Sequence, residues 1–586
     1  MADEPAIVVA PLSKGIRRTR ANADPFAAEV GEALEANCGV FTDEGGFRQH
    51  GGIQPYTGSA ADGAIVQLKR WYKPDGTKVF LALSSGGTLY VVSDALPATL
   101  TPIYTGLSGL PLSLAEINGW LYLSNGTDPF LRYDGTLVYQ VGAEKPTIGS
   151  MAAAEIAGGG SLTAGRYRFK VTFEYGTEGS LGESDPTDGE VAITVSANAA
   201  IELTNIPVAT RADATFKNIY RTLDDGDEFY WSARIPMAQT TYTVTEGDTF
   251  LSDANFLMEE DHDIPGRLKH IVSYKGRLFG EDPLVPGRVK FSLTEGSDIF
   301  PDDPTFFSDE LAQGGETLTS LFRYGEALYG AKKNNLWVLT GDSNDTFIWD
   351  EVPSGPGFLA EFSLAKSDVG MFGVGPRDIQ LFDGFNVRSV VEVRGYLDDV
   401  YESSKASAKG VYRDKMYYVA VQPGSSSKRT RLLMVHAEPL PGSEEGLATV
   451  STELTYLSGG VEKQFEVSCL GVWENENDRL FLGGYDGYIY EFDLGVNWAR
   501  VGEDVAAANF RWKSNWIYDP GGPPRFKTFL KPYVMVESEG GTLTMDYEIM
   551  TDNPNNLIVG SSDIDLSFSV TDPTQRVARW NISRWG

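Results

Sequence analysis

The sequence predicts an all-β protein: a β-propeller of about seven blades, interrupted by an inserted β-sandwich module and followed by a C-terminal β domain. Three observations lead there. A hairpin unit recurs along the chain, most plainly in DRLFLGGYDGYIYEFD (residues 478–493), where an apolar run meets a Gly-rich turn and an alternating run follows. Asp486-Gly487 suits such a turn, because glycine takes a positive φ without Cβ strain and aspartate tolerates it. The 64 glycines and 30 prolines favour turns over long helices, and no apolar stripe at i, i+3, i+4 is sustained anywhere. The hairpins also keep a regular distance from one another.

Taken in order, residues 1–60 read as an irregular N-terminal arm. It carries a basic cluster (Lys14, Arg17, Arg18, Arg20), then Asp24-Pro25-Phe26, a short helical piece around 27–36, and the Gly-rich GVFTDEGGFRQHGG. The four cations are the candidate contact for DNA or an acidic partner; a solvated or intersubunit salt-bridging arm explains them at least as well. Propeller sequence then fills 61–145, with hairpins at 78–92 (KVFLALSSGGTLYVV) and 118–135 (NGWLYLSNGTDPFLRYDG). It resumes over 264–500, with hairpins at 275–292, 325–343, 369–387, 414–435 and 478–493. Their leading strands start near 79, 120, 277, 327, 370, 416 and 479. Most gaps are about 40–60 residues, the length of a four-stranded blade. The gap from 120 to 277 returns to that length once roughly 115 residues are set aside as an insertion.

The insertion, 146–263, has its own alternation, with Tyr167, Phe169, Val171 and Phe173 on one face and a hairpin turning at Asp225-Gly226. Regular strands over such a length make a small β-sandwich. With Glu183-Ser184 after its second strand and Ile219-Tyr220-Arg221 in a later one, it resembles fibronectin type III-like modules. Residues 501–586 read as another all-β domain with Trp512, Trp516, Trp580 and Trp585 as packing residues.

Length, at 586 residues, implies about three or four domains. A net charge of −32 reads first as a solvated acidic surface; it argues against sequence-specific duplex binding, which needs cations on phosphates, and does not exclude a channel through which nucleic acid slides without sticking. Two cysteines, Cys38 and Cys469, give no disulfide framework. No apolar run is long enough to span a membrane, and the N-terminus lacks a signal peptide's apolar core, so the chain is expected to be soluble and made in a cytoplasm.

Catalytic signatures have no support. The four histidines (His50, His262, His270, His436) are scattered. Asp261-His262-Asp263 reads as a solvated hinge, and Asp224-Asp225-Gly226-Asp227-Glu228 lacks the ligand spacing of a calcium loop. The Gly-rich stretches 157–161 and 355–358 lack the lysine and helix of a phosphate loop. No residue is singled out as catalytic, cofactor-binding or metal-ligating, and no cofactor is expected.

The layout as a whole resembles bacteriophage tail-nozzle and related tail tubular proteins. The residues that carry this are the Lys-Gly-Ile-Arg-Arg-Thr-Arg arm (14–20), Asp24-Pro25-Phe26, the Ala-Asn-Cys-Gly-Val segment (36–40) and Gly45-Gly46-Phe47-Arg48. Later come Arg277-Leu278-Phe279, Val289-Lys290-Phe291-Ser292, 336–341 (LWVLTG) and 378–384 (DIQLFDG). The resemblance implies a structural virion subunit, assembled in the host bacterial cytoplasm. It would form a ring, usually of six copies, below the head–tail adaptor, meeting tail fibre or needle proteins while viral DNA passes through. A receptor- or glycan-binding propeller at a tail tip is the alternative, and an enzyme built on a propeller core is a third class.

Overall fold

Each recurring hairpin lies in the middle of a four-stranded antiparallel sheet; among the described residues seven sheets are of this kind, six with their strands in sequence order. The computed structural model describes residues 51–492 except 177–180, 252–264, 295–296, 302, 313–315, 354, 391–392, 425, 438–448, 459–460 and 475–477; it also describes 500–502 and the strands 33–37, 39–41, 47–49, 497–498, 506–508, 511–514, 541–545 and 566–570. Residues 1–517 form one compact unit and 518–586 another. In the second, Gly541–Met545 pairs antiparallel with Leu566–Val570.

The blades span 65–104, 113–140, 269–308, 318–352, 365–390, 409–453 and 467–492 and are numbered 1 to 7 in that order. Their second strands are Lys78–Ser84, Trp120–Ser124, Arg277–Glu281, Ala327–Lys332, Met371–Val374, Met416–Val421 and Arg479–Gly484. These agree with the spacing read from the sequence, and the protein is an all-β propeller. First strands of neighbouring blades touch one another across five of the seven seams, which places the first strands innermost. Apolar clusters fill the seams between blades rather than the blades themselves: Leu81, Leu121 and Tyr133 between blades 1 and 2, Phe279, Leu328 and Trp349 between blades 3 and 4.

Ring closure corrects the reading of residues 1–60. Blade 7 holds only three strands of its own; its outer strand is Ile53–Pro55, paired through Ile53–Phe492 and Pro55–Tyr490. The chain's early residues thus tie down its last blade, and Tyr56, Phe80, Trp473 and Phe481 pack the closing seam with ring centroids 4.9–6.2 Å apart. Arg70 and Arg479 lie over Trp473 at 4.0 and 4.4 Å. The helical piece expected around 27–36 is corrected at its end, 27–32 lying outside the described residues: Ala33–Asn37 is a strand, paired with Arg511–Ser514, because sheet partners far along the chain outweigh the helix-forming alanines and glutamates.

Between blades 2 and 3 stands a two-sheet sandwich. One sheet is Ala152–Ile156, Ala200–Thr204 and Tyr242–Val244; the other is centred on Gly165–Tyr175, flanked by Ala214–Thr222 and then Phe229–Pro236. Tyr167, Phe169, Val171 and Phe173 all point into its core. A buried charge cluster fixes it to the propeller. Arg132 of blade 2 pairs with Asp213 of the sandwich and, at 2.8 Å, with Asp298 of blade 3. Tyr122 donates to Asp298 at 2.6 Å, and Trp120 covers the guanidinium at 4.4 Å.

Candidate functional site

The polar residues that converge most closely lie at one end of the propeller axis, where the seven inner strands begin. Their placement starts with backbone irregularities. In blades 1, 3, 4 and 7 the first strand slips register against the second, around Val66, His270, Thr319 and Ser468. A bulge of this kind redirects a side chain out of the alternation. His270 carries the clearest signature, a φ of +52°, which histidine tolerates better than most residues.

Several of these side chains bind neighbouring blades together. Ser468 of blade 7 donates to Ile65 O of blade 1, and Thr319 of blade 4 donates to Phe358 O, ahead of blade 5, at 2.6 Å. Gln67 pairs its amide with both N and O of Leu112, at 2.8 and 2.7 Å. Ser124 donates to Leu268 O, Tyr274 to Glu326 O, Tyr417 to Ser363 O and Arg429 to Ser468 O. All seven seams therefore carry a side-chain-to-backbone link as well as apolar packing.

At the centre is the 3₁₀ turn Glu361–Ser363, which contacts the inner strands of blades 4 and 6. Its Glu361 accepts from Ser113 of blade 2 through Oε1 and meets His270 Nδ1 of blade 3 at 2.7 Å through Oε2. Glu281 stands 3.7 Å from His270 Nε2. One carboxylate thereby joins elements from opposite parts of the ring. The side chains of His270 and Glu361 keep 14% and 19% exposure, so water-sized species reach the mouth of the axis. Burial disfavours the imidazolium, but Glu361 outweighs it and leaves the His270 pKa above its ordinary value. Burial likewise opposes the Glu361 carboxylate, and His270 reverses the balance and holds its pKa below the ordinary value. The two directions agree on an ion pair.

This geometry supplies no activated nucleophile. Ser113 and His270 bind the same carboxylate instead of each other, so the imidazole is not placed to take the hydroxyl proton. Cys469, on the inner strand of blade 7, is buried and unpaired, and burial pushes its thiol up to about 12. Among the described residues no group of three His, Cys, Asp or Glu side chains could hold a metal ion.

No family model and no curated protein matches the chain. Solved structures similar to it include the C-terminal WD40 domain of Sif2 (TM-score 0.32, 9% identity, covering 76% of this chain and 99% of that one). Others are BBS1N in complex with ARL6DN (TM-score 0.32, 8% identity, 78% and 97% covered) and YCF48 from Cyanidioschyzon merolae (TM-score 0.26, 10% identity, 75% and 98% covered). Values this low say nothing of function, and the propeller assignment stands on the seven sheets themselves.

The residues singled out from sequence fare differently. Lys14, Arg17, Arg18 and Arg20 lie outside the described residues, as does His262. Asp225 sits at the turn between Ala214–Thr222 and Phe229–Pro236, and the acids around it are engaged locally: Asp227 with Arg168, Glu228 with Tyr230. Within the glycine runs Gly357 and Gly160 are close-packing positions, since a Cβ on Gly357 would fall 2.0 Å from Lys332 O and one on Gly160 would fall 2.7 Å from Ala199 O. Sequence reading missed Ser113, Glu361 and Lys409 and left His270 among scattered histidines. A usable signal existed in blades 2, 3 and 6 alone, whose inner strands open on the polar residues Ser113, Lys269 and Lys409. No helix among the described residues is long and apolar enough to cross a membrane.

Proposed function

We propose that the protein is a structural subunit of a bacteriophage tail, the nozzle ring below the head–tail adaptor through which DNA is ejected. The observation that carries this reading is how the propeller is secured. An N-terminal strand closes the last blade, every seam has a polar link, and Glu361 joins blades across the axis. A body braced in this way suits a building block that transmits load. A charge of −32 per copy suits a conduit that repels the DNA passing through it. The nozzle-like arm and hairpin motifs supply the family. In this reading the protein works in the virion tail as a ring of about six copies, assembled in the host cytoplasm. Its partners are the adaptor and the fibre or needle proteins, and Lys14, Arg17, Arg18 and Arg20 reach an acidic partner or DNA.

Electron microscopy of the purified full-length protein tests it. Rings with a central hole are expected, whereas monomers at every concentration would sink the nozzle assignment. The tail-tip alternative has the exposed aromatics Phe385 and Tyr401 in its favour, at 82% and 68% exposure. Binding on an oligosaccharide array that falls on Phe385→Ala or Tyr401→Ala would favour that reading instead.

A further inference from the structure

Lys409 opens the inner strand of blade 6 and is 7% exposed. The next residue, Gly410, packs so tightly on the central turn that a Cβ would lie 2.7 Å from Ser363 O and 2.6 Å from the Tyr417 hydroxyl. The backbone therefore fixes where the lysine starts, and its ammonium lies over the Phe362 ring at 3.9 Å. Other buried cations have a carboxylate or carbonyl partner: Arg132 two aspartates, Arg221 Asp248, Lys217 the Pro207 O and Lys405 the Pro376 O. The Lys409 ammonium has no hydrogen-bond acceptor and no carboxylate at ion-pair distance among the described residues. Its charged neighbours are already committed, Glu361 to His270 and Ser113, and Arg429 to the carbonyls of Ser407 and Ser468.

A cation this enclosed loses its proton or is met by water or a counter-ion. We propose that the mouth of the propeller axis is an anion site, in which a small inorganic anion of about halide size sits against the Lys409 ammonium. An aromatic face compensates part of the charge but offers no acceptor to the three N–H groups. The residual exposure of His270 and Glu361 gives a small ion its way in. Protonation supports the same picture. Burial first, then Arg429, bring Lys409 down to about 7, against the opposing pull of Cys469 and Glu361. Near neutral pH the amine is thus divided between two forms, and a bound anion selects the charged one.

Full-length wild type, Lys409→Met and Lys409→Arg are melted at pH 6.5 while sodium gluconate is replaced by sodium bromide at constant ionic strength. Wild type is expected to gain about 2 °C, saturably. Lys409→Arg should keep most of that gain, and Lys409→Met should lose it. A bromide-soaked crystal should show an anomalous peak at hydrogen-bond distance from Lys409 Nζ. The same bromide response in wild type and Lys409→Met overturns the proposal. So does a crystal without the peak, or a peak with no response in solution, which is binding at crystal concentration only. Should Lys409→Met fail to fold, the wild-type titration and crystal decide alone: a saturable gain with the peak supports the site, and lack of either overturns it.

Discussion

Gly487 shows how much one turn residue carries. Its φ is +84°, and a Cβ there would come within 2.9 Å of Gly63 O and 3.1 Å of both N and O of Ala61, so the turn of blade 7 is pressed against the chain that enters blade 1. Valine is strained by its backbone, at about 1–2 kcal/mol, and again by this contact. Gly487→Val is expected to lower the melting temperature clearly, and unchanged stability would mean that the turn or its neighbour is misplaced. His270 offers a test by pH. Its folded pKa is raised above 6.5, so its contribution is complete below 6.5 and is lost as pH rises through the folded value. The folded pKa of Glu361 is lowered below 4.5, so its contribution is present above 4.5 and is lost as pH falls. The pair therefore works fully between about 4.5 and 6.5. His270→Gln should cost more stability at pH 5.5 than at pH 9, as read by thermal melts of both proteins, and an equal loss would argue against an ion pair.

At the scale of elements, blade 7 is the instructive case, because one of its four strands comes from the other end of the chain. Trp473 is enclosed by Tyr56, Phe80 and Phe481 and by two arginine planes, so it bears on both edges of the closing seam. Trp473→Ala is expected to cost about 3–5 kcal/mol in denaturant unfolding; a loss below 1 kcal/mol would place the closure elsewhere. The same blade marks what the sequence makes legible. Second and third strands announce themselves: Arg479–Gly484 and Ile489–Phe492 are buried β-formers around a glycine turn, and that cue recurs in every blade but the fourth, which turns on Lys333-Asn334-Asn335. First and fourth strands do not. Ala365–Lys366 and Phe307–Ser308 are two residues long, and Val387–Val390 is half polar because it lies at an outer edge. Nothing local to Ile53–Pro55 names a partner more than four hundred residues away. The axial residues were illegible for a related reason: His270, Glu361, Ser113 and Lys409 come from four separate stretches that only ring closure brings together.

For the whole molecule, the question is how far the sandwich and the propeller depend on each other. Blades 2 and 3 have all four strands without the inserted residues, so joining the chain across a deletion of about 147–262 should leave a complete ring. The contacts across the junction show what would be lost. Arg211 donates to the carbonyls of Gln140 and Gly142, Tyr175 donates to Glu144 O, and Trp120 packs partly against the sandwich core. The sharpest loss falls on Arg132, which would keep Asp298 but not Asp213. Half-breaking a buried charge cluster costs about 3 kcal/mol, which is large against the total stability of a domain but small against seven packed seams. The shortened chain is expected to be soluble, with β-sheet circular dichroism and a lowered melting temperature. Asp213→Asn in the full-length chain should reproduce part of that decrease while leaving the sandwich in place. If instead the deletion yields insoluble protein without sheet signal while Asp213→Asn is neutral, the propeller needs the sandwich in order to fold, and the insertion is a structural member of the ring.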